Sequence, residues 1–475
     1  MKDKVRKIDD FLYRLEPFDN MTVPAEFFLN ELLFEKLEDK AVEQLKNVAS
    51  LPGIYKKAIA MPDCHIGYGF PIGGVAAIDR ENGCISPGGI GFDINCGVRM
   101  LATTLTRDDV EPNIKELLDS LFRNVPSGVG SESSIRLDDK QLNDVLTFGT
   151  RWALDNGYGV EEDIIMCEEE GRMKSADANK VSPRAKARGK KQLGSLGAGN
   201  HFLEIQVVEE IHDPKIAKVF GITQKGQIVV MIHSGSRGLG HQVCSDYLRK
   251  MEDTYPDIMQ KLPEKDLIYA PAGSKLARDY FAAMSAAANF AWTNRHIMAH
   301  QVRKAFTEFF PEAKISTIYD VAHNIAKEEE HEIDGVKRKV WTHRKGATRA
   351  FGPQSPHIPK DYLDVGQPII LPGSMGTGSY LLVGSQTAEE QTFGSTAHGA
   401  GRVMSRMAAK KQFRADEISQ ELERKQIYVK AASRKGICEE APLVYKDIDQ
   451  VVKVSHAAGI GNIVAKVRPF GVVKG

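Results

Sequence analysis

Asp93, Cys96, His201, His233 and His323 are of the residue types that hold transition metals, and each stands in a comparable setting. Asp93 and Cys96 form an Asp-x-x-Cys loop, His201 follows Gly199-Asn200, His233 ends the apolar run Ile228–Ile232, and His323 belongs to Asp320-Val-Ala-His-Asn. Loops held by strands are where sites are built. A single histidine of this kind reads as a satisfied polar residue, but three of them with a carboxylate and a thiol point to convergence. One carboxylate, one thiolate and three imidazoles are too many for one tetrahedral site with an open position, whereas two divalent ions bridged by the thiolate fit. Paired ions suit phosphoryl chemistry, because they clamp attacking and leaving oxygens. Ligand softness by itself favours zinc.

A further histidine, His398, opens His398-Gly-Ala-Gly-Arg-Val-Met-Ser. The spacing predicts a helix starting directly after it, with amide donors and the positive dipole end facing a phosphate. An imidazole there could attack phosphorus and split one transfer into two; the alternative is a helix cap beside a surface histidine. Pro372-Gly-Ser-Met-Gly-Thr-Gly-Ser379 is a second Gly-rich candidate phosphate loop, and its lack of a Lys-Ser/Thr ending argues against a P-loop.

These loops need elements to position them. Leu32 to Val48 has the apolar spacing of one amphipathic helix, and Gly53 to Gly97 reads as strands joined by Gly-dependent turns. Val98 to Leu105 alternates as a half-buried strand. Glu204 to Val208 and Ile228 to Ile232 read as strands, Ile369 to Leu371 as another, and Ala277 to Phe310 as a long Ala-rich helix stopped by Pro311. A helix follows Pro112. The segment from about 129 to 191 reads as a surface insertion, with an acidic cluster (Glu161 to Glu170) and then a basic one (Arg172 to Lys191). No repeat or linker composition divides the chain. The expected fold is α+β: one interwoven domain over residues 1–475, with mixed and antiparallel sheets flanked by helices and Gly-rich site loops.

Composition narrows the class. The chain has 475 residues, 63 Lys plus Arg against 63 Asp plus Glu, 42% hydrophobic and 27% charged residues, values of an ordinary globular protein rather than a coiled coil or disordered chain. No apolar run reaches membrane-spanning length and the charged start lacks a signal h-region, so a cytoplasmic protein without a membrane partner is expected. Six cysteines without a C-x-x-C pair argue for thiols rather than a disulfide framework. With no net charge, nucleic-acid binding must come from local patches, for which the basic stretches 172 to 191 and 337 to 349 are candidates.

Taken together, Asp93-Ile-Asn-Cys96-Gly, Gly199-Asn-His-Phe-Leu-Glu204, His233-Ser-Gly-Ser-Arg-Gly, His323-Asn, Pro372-Gly-Ser-Met and His398-Gly-Ala-Gly resemble the RtcB family of RNA ligases, in order, from Met61 to Lys474. The resemblance implies an enzyme that uses GTP and two Mn²⁺ ions to join an RNA 2',3'-cyclic phosphate or 3'-phosphate end to a 5'-hydroxyl end, in tRNA splicing or RNA repair. It replaces the zinc preference with manganese. It implies that Asp93, Cys96 and His201 hold one ion, that Cys96, His233 and His323 hold the other, and that His398 carries the guanylyl group before an RNA-ppG intermediate forms. Asn200, Phe202, Glu204, Asn324, Pro372, Gly373, Ser374, Met375, Ser379, Gly399, Ala400, Gly401, Tyr445 and Lys474 are the implied nucleotide contacts. The implied partners are RNA, such as tRNA halves, and an archease-like activator.

Other readings compete. A dinuclear phosphatase or phosphodiesterase would show much the same ligands, and a metal-stabilised RNA-binding protein would need no catalysis. Cys64-His65 lies in a Gly-rich loop that could approach the site. His296 and His300 share a helix face but lack the Glu of H-E-x-x-H, so a polar helix face is expected. Arg237 reads equally as an RNA-phosphate contact or a structural donor.

Overall fold

Continuous apolar runs such as Ile228–Ile232 cannot face water on either side and must be covered on both faces. The computed structural model, which describes residues 1–475, buries this run within the strand Gln227–Ser234, every residue of which is buried. Two large sheets organise the α+β fold. One has the order Arg6–Lys7, Leu12–Leu15, Ala25–Phe28, Ala58–Tyr68, Phe70–Asp79, Val336–Lys345, Asn324–Ile333; the Ala25–Phe28 and Ala58–Tyr68 pair is its parallel one. The other has eight strands: Ile315–Ala322, Gly97–Thr106, Gln227–Ser234, Phe202–Ile211, Asn462–Lys474, Ser379–Val383 and Pro368–Leu371, with Tyr428–Ala431 parallel to Asn462–Lys474. Each sheet draws strands from widely separated parts of the chain, so no single cut separates two units.

Register does the positioning. In the eight-stranded sheet Gly97 pairs with Ser234 and with Ala322, and Phe202 pairs with His233. Cys96, His201, His233 and His323 are those residues or their immediate neighbours, so four of the five expected ligands share one end of one sheet. His323 alone separates the strand Ile315–Ala322 from Asn324–Ile333 of the other sheet, which places the ligand cluster where the sheets meet.

The helix Lys275–Thr307 is capped by Ser274, whose hydroxyl accepts from Ala277 N at 3.1 Å. Ala283, Ala286, Ala287, Ala288 and Ala291 are fully buried along it. Such small side chains allow close approach by the helices Asp139–Phe148 and Arg237–Thr254 and by the strand Gln227–Ser234. No helix is long and apolar enough to cross a membrane.

Several sequence expectations are corrected here. Leu32 to Val48 is two helices, Glu31–Glu35 and Asp39–Val48, broken so that Leu37 can turn inward to 4% exposure. The strand expected at Val98 to Leu105 spans Gly97–Thr106 and is buried on both faces through Thr103, because it lies inside its sheet. The segment 129 to 191 folds into short helices whose Leu142, Val145, Leu146 and Trp152 join the core around the long helix. Its acidic cluster is not wholly a solvated surface: Asp163 pairs with Arg303 at 2.7 Å, and Glu168, buried, pairs with Lys327 at 2.7 Å. Of the basic stretch 337 to 349, Arg344, Lys345 and Arg349 are buried, Arg344 against Glu329 and Arg349 against Glu168, so these three do not form an RNA-contact surface.

Candidate functional site

At the sheet junction the five expected ligands converge. Cys96 Sγ lies 3.5 Å from His201 Nε2 and 3.3 Å from His233 Nε2, His233 Nε2 lies 3.3 Å from His323 Nε2, and His201 Nε2 lies 2.8 Å from Asp93 Oδ2. Two triads result, Cys96-His233-His323 and Asp93-Cys96-His201, each with its ligand atoms within 4.8 Å of one another and with Cys96 in common.

The donor set suits a divalent cation. The Leu196 carbonyl, 3.0 Å from His201 Nδ1, can only accept, so Nδ1 donates to it and Nε2 is the ring nitrogen turned toward Asp93. The Asp93 carboxylate oxygen lies 2.8 Å from Nε2, so both atoms can face one ion. Burial, and next the Asp93 carboxylate, push the Cys96 thiol well above its ordinary value. Burial holds His233 and His323 well below theirs, so both rings are neutral and able to ligate. Thiolate and imidazole are softer donors than manganese ordinarily takes, so ligand type by itself leans toward zinc and does not identify the ion.

His398 closes the cluster on one side, its ring centroid 4.8 Å from that of His323. Its Nδ1 lies 2.5 Å from Asp63 Oδ2, and the same carboxylate oxygen accepts from His398 N at 3.0 Å and Gly399 N at 3.2 Å. Burial alone would push the Asp63 carboxyl up, but the adjacent His398 ring and these donors hold it below its ordinary value. Lys446 donates from Nζ to the carbonyls of Pro62 and Cys64, bracketing Asp63 from both sides. With Nδ1 turned to Asp63, Nε2 is the ring nitrogen not facing that carboxylate. No helix starts at His398, contrary to expectation: Gly401 takes φ +71°, the chain stays irregular, and the next helix is Arg406–Gln412, capped by Ser405. Asp63 meets the amides of His398 and Gly399 instead.

A cavity runs from the cluster past His398. Its walls include Asn200, Phe202, Glu204, Asn324, the Pro372–Met375 loop, Gly399, Ala400, Gly401, Tyr445 and Lys474. Ser379 lies behind this wall, its hydroxyl accepting from Gly373 N at 3.0 Å and from Gln206 Nε2 at 3.2 Å, where it braces the loop. Glu204 is buried, and burial raises its carboxyl to about 7. Lys474 Nζ lies 5.7 Å from the Phe202 ring centroid and 3.8 Å from Glu440 Oε2.

Some cavity residues were not singled out by sequence reasoning. Glu440 accepts from Arg402 at 3.1 Å and from Tyr445 O–H, yet nothing local in Cys438-Glu-Glu-Ala marks it. Asp63 carries no local signal of its own beyond standing directly before Cys64-His65. His65 lines the cavity, whereas Cys64 is buried away from the ligand cluster. His296 is no polar face: it is fully buried, with Nε2 2.8 Å from the Tyr158 carbonyl. Arg237 takes the structural alternative, donating to Ser195 and Ser131, both at 3.3 Å.

Two buried triads that share the Cys96 sulfur, an imidazole beside a buried carboxylate and a glycine-lined cavity adjoining them make up a candidate metal-dependent active site. Comparison with known proteins makes the kinship specific. The family model described as tRNA-splicing ligase RtcB matches residues 44–475. The tRNA-splicing ligase RtcB of Thermococcus kodakarensis is 54% identical over 99% of both chains, and those of Archaeoglobus fulgidus and Methanococcus maripaludis are each 53% identical over 100% of both. The chain belongs to the RtcB family.

Proposed function

We propose that this chain is a GTP- and Mn²⁺-dependent RNA ligase that joins a 3'-phosphate or 2',3'-cyclic phosphate end to a 5'-hydroxyl end. The observation that carries the reading is His398: Nδ1 faces Asp63, the ring adjoins His323, and the cavity opens beside it. Family membership and the relatives' names support an RNA substrate and the splicing of tRNA.

In this reading His398 Nε2 attacks the α-phosphorus of GTP. An N–P bond forms as the bond to pyrophosphate breaks, and Asp63 stabilises the charge arising on the ring. A 3'-phosphate is a poor electrophile toward a hydroxyl because it lacks a leaving group; its attack on the guanylyl group supplies one and frees His398. The 5'-hydroxyl then displaces GMP. Asp93, Cys96 and His201, and Cys96, His233 and His323, are the residues that would hold two Mn²⁺ ions, which neutralise phosphate charge when bound. Once it has given up its proton, the Glu204 carboxylate can accept from the N–H groups of guanine, and Lys474 can donate to the base's carbonyl, which adenine lacks. Asn200 and the Pro372–Met375 loop present polar groups toward the phosphates.

Incubation with Mn²⁺ and α-labelled GTP is expected to leave an acid-labile, alkali-stable label on the protein and none on His398→Ala. Absence of label on the unaltered chain would favour the metallohydrolase reading, which is indifferent to GTP.

A further inference from the structure

Arg295 occupies the middle of the long helix Lys275–Thr307, is fully buried and does not line the cavity beside His398. Every N–H of its guanidinium fork is engaged. Nη1 donates to the Asn95 carbonyl and to the Ser234 carbonyl, both at 2.8 Å; Nη2 donates to Asn95 Oδ1 at 3.0 Å and Asp320 Oδ1 at 2.7 Å; Nε donates to Asp320 Oδ1 at 2.9 Å. Asn95 precedes Cys96, Ser234 follows His233, and Asp320 lies on the strand that ends just before His323. One side chain thus ties together the three segments that carry the thiol and two of the imidazoles.

An ion pair with Asp320 alone would not require this arrangement, since Arg99 already donates to Asp320 Oδ2 at 2.8 Å. Two further features serve the fork. Asn95 holds a left-handed φ of +53°, a conformation costly for a non-glycine residue, and its side chain is tied to Arg295 and to the Ala288 carbonyl of the same helix. Residue 97 is glycine, where a Cβ would stand 3.0 Å from Arg295 Cζ and 2.4 Å from the Val321 carbonyl oxygen. The neighbouring Asn294 extends the clamp, accepting from Gly194 N at 2.7 Å and donating to Ser234 Oγ at 3.2 Å.

We infer that Arg295 is a positioning residue for the metal cluster, fixing the Cys96, His233 and His323 segments in one geometry through the Asn95 and Ser234 carbonyls and the Asn95 and Asp320 side chains, with no hydrogen bond to a ligand atom. The inference rests on the reading that this cluster holds divalent ions. Groups that orient metal ligands typically contribute about 10- to 100-fold in metal affinity.

The test is Co²⁺ titration of the metal-free full chain, followed by the thiolate-to-cobalt charge-transfer band. Arg295→Met leaves Asp320 paired with Arg99, and its Co²⁺ affinity is expected to fall about ten-fold or more, with an altered band. Arg295→Lys keeps the charge but cannot bridge three segments, and a smaller loss is expected. Arg303→Met serves as control: it lies on the same helix and in the same ion network, reaches the strand Ile315–Ala322 only at Ile315 and Thr317 and contacts neither the Asn95–Cys96 nor the His233–Ser234 segment, and is expected to lose thermal stability without a change in Co²⁺ affinity. Unchanged affinity and spectrum in both Arg295 variants, failure of both to fold, or an equal loss in Arg303→Met would overturn the positioning role. Absence of a charge-transfer band in the unaltered chain would instead overturn the metal reading itself.

Discussion

Glu204 holds its proton because burial outweighs the donors around it. Its carboxyl rises from an ordinary 4.5 to about 7, so between these values the folded chain keeps a proton that the unfolded chain has released. The sign follows: Glu204 lowers folding stability progressively as pH rises through that window. Glu204→Gln carries no charge at any pH, so its unfolding midpoint relative to the unaltered protein is expected to climb from pH 4.5 to 7 and then level off. Thermal melts of the nucleotide-free proteins across that range check it, and a pH-independent difference would contradict it. At this scale the candidate ligands are legible in the sequence because each stands beside an apolar run, although His233 lies within its strand and His323 between two strands rather than in a loop. Asp63 is not, because its partner amide lies 335 residues away and no local pattern encodes that meeting. Arg295 is hidden for a related reason: inside a helical run it reads as one more helix-compatible residue.

Among the elements, the helix Lys275–Thr307 ties the site to the core. Its Ala-rich run makes it recognisable from sequence, and Phe290 on it is fully buried in the cluster that also holds Leu146, Tyr280 and Trp341. Phe290→Ala is expected to cost about 3–5 kcal/mol through lost contacts and a residual cavity. Thermal unfolding should show it as a lowered midpoint, whereas a shift no larger than that of an exposed substitution would mean the helix is held by its polar clamps instead. The expected helix over Leu32 to Val48 fails because Leu37 gains more by turning inward than the helix gains by continuing. The expected start after His398 fails because Asp63 outcompetes a helical turn for the same amides. Both errors share a cause, in that tertiary partners overrode a plausible local pattern.

For the molecule as a whole, an ion held by the cluster at the sheet junction would couple stability to metal. A ligand that binds only the folded chain stabilises it by about 2.7 kcal/mol at one hundred times its dissociation constant. Mn²⁺ is therefore expected to raise the unfolding midpoint with concentration, and a chelator to reverse the rise. Cys96→Ala, which removes the ligand common to both triads, should abolish the response; a full response in that variant would place the ion elsewhere. The α+β class and most strands are readable from sequence, but strand order is not, since neighbours such as Phe202–Ile211 and Asn462–Lys474 are joined only by register. That pairing has a temporal consequence. Because Asn462–Lys474 is flanked on both sides within its sheet, a growing polypeptide cannot zip the two flanks together before those residues leave the ribosome. Each nascent chain must wait, partly assembled and with apolar edges uncovered, until translation has passed Lys474.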